Sequence, residues 1–381
     1  MIIGIVKERR AGERRVALIP GVVEKLLGNG ESGLEIRLEK NAGAAAYFPD
    51  EAYEAAGATV CDDAISEADI ILKVQAPEAE EIKRMKKGAV CISFLWAAQN
   101  EETREQLREA GITALGMDAV PRISRAQKMD ALSSMSSIAG YKAVLIAAEA
   151  LPKYMPMMMT AAGTIAPAKV LVLGAGVAGL QAIATARRLG AVVEAFDVRP
   201  AVKEQVESLG ATFVETPLAE EDKESETKEG YAKELSEASK KLQQEKVAER
   251  VAASDMVITT ALIPGKPAPK LISEEMVANM KPGSVIVDLA AEQGGNCALT
   301  KPDEVAEHGG VRIFGPTNIS SQLPLHASQL YAKNLHGLLQ LLIKDGEINL
   351  NFEDEVILQT TVTHEGEIKS PFVRGQLGLD D

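Results

Sequence analysis

The 381 residues exceed what one ordinary hydrophobic core accommodates, so the length predicts two domains. The hydrophobic fraction of 46% and the charged fraction of 25% are typical of a packed globular protein, and the net charge of -14 argues against nucleic acid or an anionic membrane surface as partners. The three cysteines, Cys61, Cys91 and Cys297, form no CxxC pair, which argues against a disulfide framework or metal site and indicates a reducing compartment.

The N-terminal segment MIIGIVKERR predicts a strand and lacks the apolar region of a secretory signal peptide. We expect no membrane span. The longest weakly charged stretch, Val170 to Ala186, contains glycines and Gln181, and Lys142, Glu149 and Lys153 interrupt the apolar run before it. The sequence therefore predicts a soluble, cytoplasmic protein of bacterial type.

Residues 1 to about 130 alternate short apolar runs with helical stretches such as Glu101–Ala110. The runs that predict strands are Ile2–Val6, Glu35–Leu38, Ile70–Val74, Ala89–Phe94 and Ile112–Gly116. Strands that alternate with helices indicate βαβ units and a parallel sheet. From Asp130 to Leu151, apolar residues recur at spacings of three and four, which predicts a long helix leaving the first domain.

A second alternation of strands and helices follows. Its predicted strands are Lys169–Leu173, Val192–Asp197, Ala211–Val214, Met256–Thr260, Ser284–Asp288 and Val311–Phe314. Such a set predicts a complete doubly wound sheet. A helix around Ser328–Leu342 and a polar, weakly β-like tail come last, and we expect this tail to return to the first domain.

The predicted fold class is α/β, with two doubly wound, Rossmann-like domains and a ligand cleft between them. The first domain is expected to span residues 1–135, completed by 325–381, and the second 136–324. An insertion at about 216–245 is dense in Glu and Lys. It is either a solvated, partly mobile segment or a mobile flap over a ligand, because it follows the third strand of the second domain.

The strongest local motif is KVLVLGAGVAG at 169–179, which reads as a strand, the glycines Gly174, Gly176 and Gly179, and the start of a helix. The first glycine permits a tight turn, the second admits a pyrophosphate, and the third lets the helix pack on the strand. The helix N-terminus then offers free N–H groups to an anion. This arrangement predicts a dinucleotide site.

The next strand ends on Asp197, at about the 20-residue distance expected for the acid that binds the adenosine ribose. A carboxylate there bonds the 2′-hydroxyl and repels a 2′-phosphate, so NAD(H) is favoured over NADP(H). Arg199 complicates this inference, since an arginine nearby can serve a phosphate; we interpret it as a surface or pyrophosphate-side residue. The chain contains no second GxGxxG motif.

Beyond these residues, the sequence resembles the NAD(H)-binding component (domain I, the alpha-1 subunit) of proton-translocating NAD(P)+ transhydrogenases nearly end to end, and alanine dehydrogenase more distantly. The segment from KERR at 7–10 to RVAL at 15–18 matches both families. The motifs similar to transhydrogenase specifically are PRISRAQKMDALSS at 121–134, MMMTAAGT at 157–164, GAGVAGLQAIATARRLGA from 174 and TTALIPGKPAP at 259–269.

The resemblance implies that Arg122, Gln127 and Asp130 hold the nicotinamide end of the nucleotide, the Gln reaching toward the second nucleotide. The alternative is a solvated loop in which Asp130 caps the following helix. The other implied NAD(H)-binding residues are Ser133 near the nicotinamide ribose, Ala175, Gly176, Val177, Asp197, Val198 and Arg199 at the pyrophosphate and adenosine half, Gly230, Tyr231 and Gln243 of the flap, and Leu262 on the adenine side.

Alanine dehydrogenases use a lysine and a histidine of the first domain to hold and protonate the keto acid. Gln75 and Trp96 stand in the matching positions here, and all four histidines lie in the final quarter of the chain. Residues 1–135 therefore offer no histidine as general acid or base. An alanine dehydrogenase-like oxidoreductase and a catalytically silent NAD-sensing module remain the alternatives.

The activity that the resemblance implies is direct hydride transfer between NAD(H) on this chain and NADP(H) on a partner component. Proton translocation would belong to a separate membrane component. The resemblance further implies a homodimer that associates peripherally with the inner membrane through its partner and inserts no segment of its own.

Overall fold

The structure, a computed structural model, describes residues 1–28, 33–216, 237–263 and 267–379. Its strands are β1 (Ile2–Ile5), β2 (Glu35–Glu39), β3 (Thr59–Cys61), β4 (Ile70–Leu72), β5 (Val90–Ser93), β6 (Thr113–Gly116), β7 (Met158–Thr160), β8 (Gly163–Ile165), β9 (Lys169–Leu173), β10 (Val192–Phe196), β11 (Thr212–Phe213), β12 (Met256–Thr259), β13 (Val285–Asp288), β14 (Val305–His308), β15 (Val311–Phe314), β16 (Ile343–Lys344), β17 (Glu347–Ile348), β18 (Thr361–His364) and β19 (Glu367–Ile368).

Its α-helices are α1 (Pro20–Leu27), α2 (Asp50–Ala55), α3 (Ala79–Arg84), α4 (Glu101–Glu109), α5 (Ala131–Ala150), α6 (Val177–Arg188), α7 (Lys203–Ser208), α8 (Glu237–Ala253), α9 (Glu274–Ala278), α10 (Pro324–Leu342), α11 (Glu355–Thr360) and α12 (Pro371–Leu377). The chain divides into two compact units, Met1–Met135 with Ser320–Asp381, and Ser136–Ile319. Each unit contains one large sheet flanked by helices, so the predicted Rossmann-like α/β class is confirmed.

The sheet of the first unit has the strand order β19-β18-β6-β5-β4-β1-β2-β3. The strands from β6 to β3 are parallel, and β18 pairs antiparallel with β6 at one edge. The strand order reverses between β1 and β4, where a doubly wound sheet forms a crevice at the carboxyl ends of its strands. The sequence did not predict β3, since three residues of an edge strand give too short a pattern.

The sheet of the second unit has the order β11-β10-β9-β12-β13-β15-β14, and the order reverses between β9 and β12. Its central strands are fully buried apolar runs, as expected when helices cover both faces of a parallel sheet. The sequence missed β14, which pairs antiparallel with β15; its VAEH sequence is half polar and partly exposed at the edge.

The C-terminal tail differs from the weakly β-like prediction. It contains α11 and α12 as well as β18 and β19, and β18 extends the first sheet. Both helices are too short for a periodic pattern, but each begins at a capping side chain. Asp354 accepts a hydrogen bond from the Val356 N–H at 2.8 Å, and Ser370 accepts one from the Val373 N–H at 3.3 Å.

Among the described residues, α5 is long and apolar enough to cross a membrane by length and composition alone. Its apolar residues have another use, because Ala143, Val144 and Ala147 are fully buried in the core of the second unit. At Gly140, a Cβ atom would overlap the carbonyl oxygen of Ala178, so α5 packs directly against the first turn of α6. Core packing therefore explains the composition of this helix.

Candidate nucleotide-binding site

The glycine-rich turn after β9 lies at the point where the second sheet reverses its strand order. Gly174 has a φ of 99°, a conformation that side chains disfavour. A Cβ atom on it would lie 2.6 Å from Oγ1 of Thr260, which donates a hydrogen bond to the Gly174 carbonyl at 3.1 Å. The first glycine therefore permits a turn that Thr260, at the end of the neighbouring strand β12, holds in place.

Gly176 and Gly179 serve different purposes. A Cβ on Gly179 would overlap the carbonyl oxygen of Gly174, so this glycine allows α6 to approach the turn. A Cβ on Gly176 would meet no protein atom within 4 Å, and its φ of -76° suits any residue. The fold therefore does not require glycine at 176. The open space and the free N–H groups of the first turn of α6 fit a pyrophosphate.

Asp197, directly after β10, lies against this turn. Its carboxylate accepts hydrogen bonds from the Ala175 N–H at 2.7 Å and from the Arg199 N–H at 2.9 Å. The Arg199 side chain donates two more, from Nε at 2.9 Å and from Nη2 at 3.0 Å. Burial acts to raise the pKa of the Asp197 carboxyl, but the bonds from Arg199 and Ala175 outweigh burial and lower the pKa. The sequence did not predict this contact with Arg199.

Four large apolar side chains at this edge are exposed. Val177 follows β9, Val198 follows β10, and Leu262 and Ile263 follow β12, and their exposed fractions lie between 44% and 49%. The three strands are neighbours, so their carboxyl ends share one edge of the sheet. Exposed apolar residues beside an anion-binding turn fit the planar, apolar faces of a nucleotide base.

Two buried polar residues that the sequence reasoning missed support the loops at this edge. Asp288 is fully buried and accepts hydrogen bonds from the side chains of Thr259 at 2.8 Å and Thr300 at 2.6 Å. Asn296 holds Ala261 through its carboxamide, accepting from the N–H at 3.0 Å and donating to the carbonyl at 2.8 Å. The signal for Asp288 was present, since an acidic residue ends the buried apolar run VIVD.

In the first unit, the predicted nicotinamide loop includes a short 3-10 helix at Ser124–Met129. Arg122 and Gln127 are exposed, whereas Ala126 and Met129 are buried. Asn334 of α10 donates a hydrogen bond to the carbonyl of Lys128 at 2.9 Å. Arg125 forms a two-point ion pair with Asp354, with both hydrogen bonds at 2.8 Å. The loop therefore projects two polar side chains from a fixed backbone.

Asp130 caps α5, as the alternative interpretation of this loop expected. Its carboxylate accepts hydrogen bonds from the Ser133 N–H at 2.8 Å and from the Ser133 hydroxyl at 2.6 Å. The two residues assigned to the nicotinamide ribose thus contact each other. Of the predicted flap residues, Gln243 is half-buried on α8, whereas Gly230 and Tyr231 lie outside the described residues.

A cavity of about 480 Å³ lies at the carboxyl ends of β1, β4 and β5, where the first sheet reverses its order. Gln75 lines it with both amide groups engaged: Oε1 accepts from Arg10 at 3.1 Å, and Nε2 donates to Glu13 at 2.7 Å. Trp96, which is 39% exposed, lies at the same cavity. These are the positions where alanine dehydrogenase was expected to carry its lysine and histidine.

Other ionisable groups of this cavity form a buried cluster. Lys73 lies 2.9 Å from Glu81 and 3.5 Å from Glu8. Burial raises the pKa of Glu8 to about 7, although Lys73 opposes the shift. The statement that the first domain offers no histidine needs correction, because the first unit includes His326, His336 and His364 of the C-terminal segment. Among the residues that the structure describes, none of these three lines the cavity.

Two family models match the chain. The model described as alanine dehydrogenase/PNT, N-terminal domain, matches residues 4–139, and the model described as alanine dehydrogenase/PNT, C-terminal domain, matches residues 143–371. The chain belongs to the alanine dehydrogenase/PNT family. The resemblance inferred from the sequence motifs is thereby confirmed, and it extends over both units.

Relatives on the transhydrogenase side of this family are more similar. The first portion of the NAD(P) transhydrogenase alpha subunit of Rhodospirillum rubrum, a separate chain, is 51% identical over 386 residues, covering 99% of this chain and 100% of that protein. A crystal structure of transhydrogenase from Sinorhizobium meliloti has a TM-score of 0.87 at 47% identity and covers 97% of this chain and 100% of that one. Alanine dehydrogenase of Bacillus subtilis (strain 168) is 34% identical, covering 85% of this chain and 81% of that protein.

We predict that the chain does not deaminate alanine. The amide of Gln75 does not titrate, and Trp96 carries no proton to exchange with a keto acid, so the cavity lacks the expected acid and base pair. The assay is NADH production from alanine and NAD+ at alkaline pH, with an authentic alanine dehydrogenase as the positive control. Robust turnover by this chain would assign it to the alanine dehydrogenase side of the family.

Proposed function

We propose that this chain is the NAD(H)-binding component of a proton-translocating NAD(P)+ transhydrogenase. In this enzyme, a hydride passes directly between NAD(H) held on this chain and NADP(H) held on a partner component. The observation that carries the proposal is the glycine turn with Asp197 beside it, at the switch point of a Rossmann-like sheet. The alpha-subunit relatives at about half identity support it.

The residues of the second unit account for binding of the adenosine half. The first turn of α6 receives the pyrophosphate over Gly176, where the structure leaves open space. Asp197 is mostly ionised at neutral pH, because its pKa is lowered. An ionised carboxylate accepts the hydroxyls of the adenosine ribose and repels a 2′-phosphate, which selects NAD(H).

The nicotinamide ring supplies the hydride chemistry, so the chain needs neither a nucleophile nor a general acid. Arg122, Gln127 and Asp130, with Ser133, position the ring and its ribose. Direct transfer depends on the distance and orientation of two rings, and residues fixed on an anchored loop supply both. Asp130 exchanges its bonds to Ser133 for the nucleotide, or shares them with it.

The partners belong to the same proposal. The chain functions as a homodimer with an NADP(H)-binding component, and a membrane component carries the protons. It lies on the cytoplasmic side and is held at the inner membrane through its partner. Gly230, Tyr231 and Gln243 close over bound NAD(H) as part of a flap.

Reconstitution tests the proposal. We expect the chain, mixed with the purified NADP(H)-binding component of a related transhydrogenase, to reduce an NAD+ analogue at the expense of NADPH. The analogue is chosen so that its reduced form absorbs apart from NADPH. Omitting either protein is the control. A chain that binds NADH but transfers no hydride in this mixture would be a silent NAD-sensing module.

A further inference from the structure

The side chain of Arg199 lies where the adenosine ribose is expected to bind. Its guanidinium donates two hydrogen bonds to the carboxylate of Asp197, and the backbone N–H groups of Ala175 and Arg199 donate two more. A carboxylate offers about four acceptor positions, so the protein itself fills all of them. Ribose hydroxyls therefore reach Asp197 only by displacing the two guanidinium bonds.

We propose that Arg199 is a latent 2′-phosphate-binding residue that Asp197 masks. The preference for NAD(H) over NADP(H) then belongs to the pair rather than to Asp197 alone. Asp197 repels the 2′-phosphate and also neutralises the nearby cation that would otherwise attract it. The inference rests on the proposed function, since it assumes that the adenosine half binds at this turn.

The geometry keeps the cation at this position when the carboxylate is removed. Arg199 follows Asp197 by two residues and is the residue at which the backbone turns into the short 3-10 helix Pro200–Val202. Its side chain is 36% exposed, whereas that of Asp197 is 6% exposed, so the guanidinium lies on the solvent side of the pair. Arginine binds phosphate through two parallel hydrogen bonds, as it binds the carboxylate here.

The test compares NADH and NADPH binding, measured by nucleotide fluorescence, for the wild type, Asp197→Ser and Asp197→Ser/Arg199→Gln. We expect the wild type to bind NADH at least about tenfold more tightly than NADPH. Asp197→Ser should lose about tenfold in NADH affinity and gain about tenfold or more in NADPH affinity, as for one charge-assisted hydrogen bond gained. The double variant should lose the NADPH gain and keep the weakened NADH binding.

Arg188→Gln in the Asp197→Ser background is the matched control. It removes the same charge at the exposed last turn of α6, eleven residues and about 16 Å along the helix from Val177. We expect it to leave NADPH binding unchanged. Asp197→Asn is a second version of the first substitution, because its amide keeps the volume and one acceptor oxygen for the Ala175 N–H.

The outcomes separate the two proposals. A wild type that binds neither nucleotide, or both equally, would overturn the proposed NAD(H) site. A selective wild type whose Asp197→Ser and Asp197→Asn variants fold but gain no NADPH affinity would overturn the latent site alone. Equal NADPH affinity of Asp197→Ser with and without Arg199→Gln would show that another group binds the 2′-phosphate.

Discussion

Gln127→Asn is expected to slow hydride transfer about a hundredfold while NADH affinity changes by less than about twofold. The substitution keeps the carboxamide but shortens the side chain by one methylene, which removes its reach toward the partner nucleotide. Displacing reacting groups by about 1 Å costs on the order of a hundredfold in rate. The backbone does not follow the shortened side chain, because the neighbouring Ala126 and Met129 are buried.

The measurement is single-turnover transfer in the reconstituted mixture, alongside NADH affinity of the isolated variant. NADH binding is preserved because the turn, α6 and Asp197 hold the other half of the dinucleotide. Gln205→Asn, the same change at an exposed position of α7, is the matched control and should leave both quantities unchanged. An unaltered rate, or a rate that falls only in proportion to affinity, would reduce Gln127 to a binding or surface residue.

Gly179→Ala and Gly176→Ala are expected to fail in opposite ways. At Gly179, the new methyl group overlaps the backbone carbonyl of Gly174, so α6 must move and the free energy of unfolding falls by about 3 kcal/mol. At Gly176, the methyl group meets no protein atom, so stability is kept. That methyl group occupies the space of the pyrophosphate, and NADH affinity should fall tenfold or more, about 1.4 kcal/mol per tenfold change.

Chemical unfolding and NADH titration of both variants decide this pair. The two substitutions add the same methyl group three residues apart, so each is the control for the other. Equal loss of stability at both positions would mean that Gly176 is also required by the fold. Unchanged NADH binding by folded Gly176→Ala would place the pyrophosphate elsewhere.

The sequence predicted the central strands of both sheets, because a parallel strand covered on both faces is a continuous apolar run. It also predicted the turn at 174–179, whose glycine spacing reflects local backbone constraints. It missed β3 and β14, which lie at sheet edges and lack such a run. Edge strands are recognised from their pairing partners, and those partners are distant in the sequence.

Side-chain contacts within the candidate site were the least predictable feature. The ion pair of Arg199 with Asp197 depends on how two successive turns fold back, and residue types alone do not specify this. The Asp288 network likewise joins β13 to residues of two other segments. By contrast, the capping role of Asp130 was accessible, because a carboxylate before an apolar helical pattern is a local signal.

The first unit is assembled from both ends of the chain, and this matters while the protein is being synthesised. Strand β6 ends at Gly116, whereas β18, which pairs with it, ends at His364. At roughly 5 to 20 residues per second, a ribosome needs roughly 12 to 50 seconds to make the intervening segment. During that interval the nascent chain presents β6 as an unpaired edge, open to pairing with another chain. The residues translated last therefore decide when the nascent protein becomes protected from edge-to-edge aggregation.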